Sequence, residues 1–335
     1  MIDKHHADIY LKRMRYFLEL LGNPDRGHKF IHIAGTSGKG TVTNMIHEIL
    51  LASGTKVGSF TSPFVATSIE KIKVGDKYIS PDEFADIVDY IKPFIDMSYV
   101  NGPYGSPSYF EIFLAIALVY FKRQKCDWVI LEVGLGGKYD ATNVIEKPMI
   151  TAITNIDYDH TEILGKTLKK IAFDKAGIIK NGSVFFTTEQ RGSLMKIFSE
   201  ICEAKHVSLH QLPRQDSYQN SNKELATVIT RHLGINEKHI AQGIKNARLM
   251  CRFETIQDKP LVIIDGAHNR AKIKTTVDNL KKNKFKKLYL IVGIAENKDH
   301  TSILKQIIPP ADCVFFTRFQ IKDRKCAHPK ELLAK

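Results

Sequence analysis

The sequence predicts an α/β fold, a doubly wound and mostly parallel sheet followed by a smaller α/β unit. Three observations lead there. Short apolar runs recur along the chain, segments with helical apolar spacing stand between them, and near residue 248 the strand–helix rhythm starts again with shorter pieces. Runs such as FIHIA and WVIL are almost wholly apolar, as strands are when helices cover both faces of their sheet.

Taken in order, Leu11, Met14, Phe17, Leu18 and Leu21 repeat at helical spacing, and Gly22-Asn23-Pro24 ends that helix. A strand over 29–34 runs through Gly35, Gly38 and Gly40 into a second helix, and 56–60 form the next strand. Around Gly75-Asp76 the runs SIEKIKV and KYI form a hairpin. Helices over 81–96 and 108–122 follow, the first capped by Ser80 with Pro81 at its opening position. Next come strands over 127–132 and 149–154, a helix near 167–176, a strand over 183–187 and a helix near 191–203. Helices at about 217–233 and 237–246 complete the first domain, 1–247. RFETI, LVIIDG, a helix from 270, LYLIVGI, a helix from 300 and CVFFT build the second, 248–335.

The 335 residues, 43% hydrophobic, suffice for more than one core. Five scattered cysteines without a CxxC pair argue against a disulfide framework and a zinc knuckle, and fit a reducing, cytoplasmic setting. MIDKHHADIY lacks the apolar stretch of a signal peptide, and the longest apolar run, Ile112 to Phe121, is half the roughly 20 residues of a membrane span. The charge of +13 is spread along the chain, with one dense group, KKNKFKK at 281–287. Such a pattern disfavours nucleic acid and serves a polyanionic small molecule equally well.

Glycines between a strand and a helix let backbone N–H groups and the positive helix end meet at one spot, where phosphate binds. In this P-loop reading Lys39 reaches the β- and γ-phosphates, and Thr41 or a nearby hydroxyl meets magnesium. The strict pattern G-x-x-x-x-G-K-[ST] is not met: Ile33 stands at the first glycine, and Gly40 separates Lys39 from Thr41.

GTSGKGT resembles instead the ATP loop of the Mur-ligase superfamily, and its GKG form that of the folate branch, folylpolyglutamate synthase and dihydrofolate synthase. FTSPF, SYFEIFLAIALVYF, LEVGLGGKYDATNV, ITNIDYDHTEILG, DKAGIIK, RFE and DGAHN resemble further blocks of that family in the same order, over about residues 30 to 330. The resemblance implies a Rossmann-like second domain, and an ATP-dependent ligase joining L-glutamate to a pteroate or folate carboxylate through an acyl phosphate. It implies that Gly35, Thr36, Ser37, Gly38, Lys39, Gly40 and Thr41 hold ATP, with Arg252, Asp265, His268 and Asn269 contributing from the second domain, which would close on the first. Two magnesium sites are implied, with Ser62, Glu132, His160 and Lys175 as metal positions, Lys175 as a carbamate. Carbamate formation would exchange a cation beside the metal for an anionic oxygen ligand. Glu132 also suits its role by position, after the strand WVIL, where doubly wound sheets bind ligands.

Lys39, Asp140, Lys175 and His268 are the expected catalytic set, Asp140 orienting substrate from a glycine-hinged loop or simply holding a turn. Phe110 and Glu111 resemble folate-side positions, with stacking on a pterin and core packing both open to Phe110. A monomer is implied. The family usually runs several dozen residues beyond CAHPKELLAK, so the second domain is expected to be shortened. Two other readings are a shortened, non-catalytic ATP- or folate-binding paralogue and a Mur-type ligase for another acid.

Overall fold

A computed structural model of the protein describes residues 7–248, 251–321 and 325–335. In chain order the first part comprises α1 (Ala7–Leu20), β1 (Lys29–Ala34), α2 (Lys39–Ala52), β2 (Val57–Phe60), β3 (Ile72–Val74), β4 (Lys77–Tyr78), α3 (Pro81–Asn101) and α4 (Tyr109–Arg123). It continues with β5 (Trp128–Glu132), β6 (Ile150–Ile153), α5 (Thr161–Leu164), α6 (Leu168–Lys175), β7 (Val184–Thr187), α7 (Gly192–Ala204), β8 (Ser208–Gln211), α8 (Tyr218–His232) and α9 (Glu237–Asn246). The eight strands form one sheet in the order β4-β3-β2-β5-β1-β6-β7-β8. All pairings from β2 to β8 are parallel, and β3 and β4 add an antiparallel hairpin at one edge.

Alternation along β1 divides the core. Ile31 and Ile33 face one layer with Val42, Ile46 and Ile49 of α2, Leu225 and Ile229 of α8 and Ile240 of α9. Phe30 faces the opposite layer, where residues of α1 and α4 pack, and Ala34 meets Ile171 of α6 and Phe198 of α7. Helices therefore lie on both faces, the doubly wound arrangement. The strand order turns outward in both directions from β1, so the glycine loop after it lies at the topological switch point.

Three local differences from the sequence reading have physical causes. The run SIEKIKV is strand only from Ile72, because Thr67 and Glu70 form a reciprocal cap that winds Ser68–Lys71 into a 3-10 turn. Helix α3 continues past 96 and through Pro93 to Asn101, keeping Ile87, Ile91 and Ser98 on its buried side. Strand β8 is an additional element, a mostly exposed edge strand beside β7.

Contacts divide the chain into two compact units, Met1–Arg248 and Leu249–Lys335. In the second, β9 (Glu254–Asp258) and β10 (Leu261–Ile264) form an antiparallel hairpin. After α10 (Arg270–Leu280), β11 (Tyr289–Val292) pairs in parallel with β12 (Cys313–Phe316) across α11 (His300–Ile307), and α12 (Pro329–Leu333) follows. Ile273, Leu280, Ile303, Leu304, Ile307 and Leu332 are central to its own small core. Among the described residues no helix is long and apolar enough to cross a membrane.

Candidate active site

The loop after β1 is fastened to the segment after β6, in part through Thr36 Oγ1, which donates to Asp157 O and accepts from Asp157 N. Thr36 N and Ser37 N donate to the main-chain oxygen and the Oδ1 of Asn155, at 2.9 and 2.8 Å, and Thr154 Oγ1 donates to Ser37 O at 2.6 Å. Gly35 has φ +143°, and a Cβ there would stand 1.9 Å from Thr154 Oγ1, so only glycine fits. Gly38, at φ +84°, is the N-cap of the 14-residue helix α2 and offers no side-chain cap. The first N–H groups of α2 thus carry the partial positive charge that attracts an anion. Ser37 Oγ is buried without a hydrogen-bond partner among the described residues.

Two lysines converge on this loop. Lys39 Nζ lies 3.0 Å and Lys175 Nζ 3.1 Å from the same carbonyl oxygen, Gly35 O. Lys175 is the last residue of α6 and is buried. Burial and then the charge of Lys39 push its pKa down to about 7, against the pull of Asp174, Asp159 and Asp140. Like charges sharing one acceptor suit a site that receives an anion, or in which one amine is uncharged.

Glu132 ends β5 opposite Ile33 of β1, and its Oε2 accepts from Ser62 N at 3.0 Å. A Cβ on Gly40 would come within 3.3 Å of that oxygen, so the glycine of the GKG triplet leaves room in front of the carboxylate. Carboxylate and hydroxyl oxygens are hard donors that fit magnesium, which keeps several waters and needs few protein ligands. Among the described residues no group of three His, Cys, Asp or Glu side chains could hold a metal ion. His160 is half exposed, at φ +48°, with Asp159 and Glu162 3.8 and 3.7 Å away. The structure therefore brings Lys39, Lys175, Ser62 and Glu132 around the glycine loop, and gives His160 no hydrogen bond to them.

The loop after β5 is fastened to the end of α6. Gly137 and Gly177 pass so close to the backbones of Lys175 and Lys138 that a Cβ on either would overlap them, and Lys138 N donates to Asp174 O. Asp140 is buried within this loop. Its Oδ1 accepts from Thr142 N and Thr142 Oγ1, and its Oδ2 from Leu135 N. Burial raises its pKa against these hydrogen bonds. Asp140 does hold a turn.

Phe110 contacts Phe60 edge to face at 5.5 Å and sits under Gly134. Glu111 caps α4 through Ser108 and forms a forked ion pair with Arg13. Beside the TSPF loop, the buried ammonium of Lys71 lies 4.4 Å from the Tyr109 and Phe113 ring centres and 5.4 Å from that of Phe64. Its pKa is lowered by burial, and Lys71 O accepts from Thr61 N.

In the second unit, Asp265 accepts from Phe253 N and Ala267 N, tying RFE to DGAHN. Asn269 caps α10. His268 has its pKa pushed down to about 4 by burial first and then by Lys272, with Lys298 and Arg252 adding to the effect. It is a neutral imidazole in a cationic setting at neutral pH. Sequence reasoning missed Asn155, Thr142 and His32, the last a single polar residue in the apolar strand FIHIA.

Comparison with known proteins shows what the chain is similar to. The family "Mur ligase, glutamate ligase domain" matches residues 251–335. A dihydrofolate synthase/folylpolyglutamate synthase of Bacillus subtilis is 32% identical, over 92% of this chain and 81% of its own. A Mycobacterium tuberculosis folylpolyglutamate synthase complexed with ADP superposes with TM-score 0.89 at 26% identity, covering 99% of this chain and 84% of its own. A bifunctional folylpolyglutamate synthase/dihydrofolate synthase with Mn, AMPPNP and L-glutamate bound gives TM-score 0.82 at 26% identity, over 97% and 83%.

Proposed function

Because the chain belongs to the folylpolyglutamate synthase and dihydrofolate synthase family of Mur ligases, we propose that it joins L-glutamate to a folate or dihydropteroate carboxylate at the cost of ATP. A carboxylate at neutral pH has no leaving group and repels nucleophiles. Transfer of the γ-phosphoryl to it releases ADP and gives an acyl phosphate; the glutamate amine then attacks the acyl carbon and phosphate departs. Such transfer depends on positioning and on cancelling charge. The observation that carries this reading is the pair of lysines on Gly35 O, beside the start of α2, which has no side-chain cap, and a Ser37 hydroxyl without a partner among the described residues. Lys39 steadies the phosphoryl group in transfer, while Gly35, Thr36, Ser37, Gly38, Gly40 and Thr41 let backbone and hydroxyl groups approach the triphosphate.

Magnesium, when bound, supplies positive charge at the phosphate oxygens, and Ser62 and Glu132 would hold it. His160 would stand close by at a metal position, and Lys175, as a carbamate, would serve a second metal. Asp140 orients the substrate. From the second unit, Arg252 offers a forked donor to phosphate, and Asp265, His268 and Asn269 serve the nucleotide. The setting is the cytosol and the enzyme a monomer.

The test is incubation with Mg-ATP, L-glutamate and either dihydropteroate or tetrahydrofolate, followed by mass analysis of the pterin. One added glutamyl unit on dihydropteroate marks dihydrofolate synthase, and a lengthening series on tetrahydrofolate marks polyglutamylation. No glutamyl product from either would sink the proposal. Glu132→Ala is expected to raise the magnesium concentration needed for half-maximal rate by about tenfold or more; an unchanged titration removes Glu132 as a ligand.

A further inference from the structure

Outside the groups used above, a buried polar chain in the first unit starts at His32. This residue lies on β1 three positions before Gly35, is fully buried, and faces the same side of the sheet as Phe30 and Ala34. Its Nε2 is 2.8 Å from Thr142 Oγ1, and that hydroxyl is 2.5 Å from Asp140 Oδ1. A threonine hydroxyl has one proton. Given to the carboxylate, it leaves Oγ1 an acceptor, so the imidazole must donate from Nε2.

His32 Nδ1 is then a bare acceptor, and no partner for it exists among the described residues. Burial, followed by the charge of Lys180, pushes the ring's pKa down to about 3, so it is neutral and has a single N–H to give. An apolar side chain at 32 would continue the strand FIHIA without burying an unpaired nitrogen. What the imidazole adds is its other nitrogen.

We propose that His32 and Thr142 are positioning residues: the line Nε2–H to Oγ1–H to Oδ1 fixes the Asp140 carboxylate against the strand that carries the glycine loop. The inference rests on the proposed role of Asp140. Thr142 spends both its hydroxyl and its N–H on Oδ1, so Oδ2 is left to Leu135 N, and the plane of the carboxylate is set from two directions. The loop after β5 is thereby registered on β1. Misplacement of an orienting group by small distances lowers the rate of reaction more than it lowers binding.

The experiment compares the full chain with Thr142→Val, which keeps shape and deletes the hydroxyl, and Thr142→Ser, which keeps the hydroxyl and deletes the methyl. The assay is glutamyl transfer with Mg-ATP, L-glutamate and whichever pterin the wild type accepts. Thr142→Val is expected to lower kcat about tenfold to 100-fold while changing the KM for ATP by less than about twofold. Thr142→Ser is expected to restore most of kcat. Wild-type kcat in folded Thr142→Val, or equal loss in both variants, overturns the proposal.

Should Thr142→Val fail to fold, heteronuclear NMR of the wild-type imidazole nitrogens decides, with His32→Gln identifying the signal among the 13 histidines. A proton on Nε2 and none on Nδ1 is the expected tautomer; a proton on Nδ1 at neutral pH overturns the proposal. Asp140→Asn in the same assay separates the two levels. Unchanged kcat there refutes the site role of Asp140, whereas a large loss there beside an unaffected Thr142→Val refutes only the positioning line.

Discussion

Replacing Lys39 by alanine is expected to lower kcat on the order of 10²-fold or more, the usual consequence of removing one preorganised charge from a transferring group. The ammonium is carried by the first residue of α2, 3.0 Å from Gly35 O, next to the helix start that has no side-chain cap. Steady-state kinetics at saturating Mg-ATP are the measurement. Loss confined to the KM for ATP would mean uniform binding without help to the transfer step, and a near-normal kcat would remove Lys39 from the chemistry. A second effect follows from the shared carbonyl. Lys39 is the largest charge lowering the pKa of Lys175, so its removal should raise that pKa and leave the second amine more often protonated.

Lys175→Ala is expected to cost about as much, on the order of 10²-fold in kcat, if the residue carries a carbamate that serves the metal. Only a neutral amine reacts with carbon dioxide. With a pKa of about 7, Lys175 is neutral in an appreciable fraction near neutrality, whereas an ordinary lysine, at 10.5, is not. The rate should therefore rise as pH increases through about 7, fall when carbon dioxide is purged, and recover on adding bicarbonate. Labelled bicarbonate should give a carbamate signal in NMR of active, metal-loaded enzyme; an unmodified amine there would falsify the modification. The same shift has a stability consequence. Between about pH 7 and 10.5 the unfolded chain holds a proton on this lysine that the folded chain has released. Unfolding therefore takes up a proton, and this residue's contribution to stability grows as pH rises across that interval.

Much of this layout is legible in the residues because it is local. The alternation of apolar runs with helical spacing places nearly every strand of the sheet, and a capping box such as Ser108 with Glu111 announces its helix. Strand β8 is not legible: Ser208, Leu209, His210 and Gln211 lie mostly exposed at an edge, and nothing in four such letters demands pairing. Glu70 misleads in the other direction, since its carboxylate gathers the N–H groups of Val65, Ala66 and Thr67 and winds a turn where the apolar alternation reads as strand.

Within the site, Lys39 and Glu132 can be picked out because a glycine turn and a strand end mark their positions, whereas Ser62 stands out only through the family resemblance of TSPF. The partners that decide how these groups behave are distant in sequence. Lys175 meets Gly35 across 140 residues, and His32 meets Thr142 across 110. A lysine near the end of a short helix has no sequence signal for burial. A histidine inside FIHIA does carry one: a polar ring in an apolar strand must find a partner, although the letters do not say which.

Lys71 gives the first unit an uncommon dependence on its medium. Its ammonium is shielded by Phe64, Tyr109 and Phe113, and its main-chain oxygen anchors Thr61 at the start of the TSPF loop. Added electrolyte weakens attraction between solvated charges such as Lys92 and Asp96, but reaches a cation enclosed by rings far less. The attachment of the loop that bears Ser62 should thus persist in concentrated salt, and any loss of turnover there would report on capture of the anionic substrates rather than on loosening of the framework.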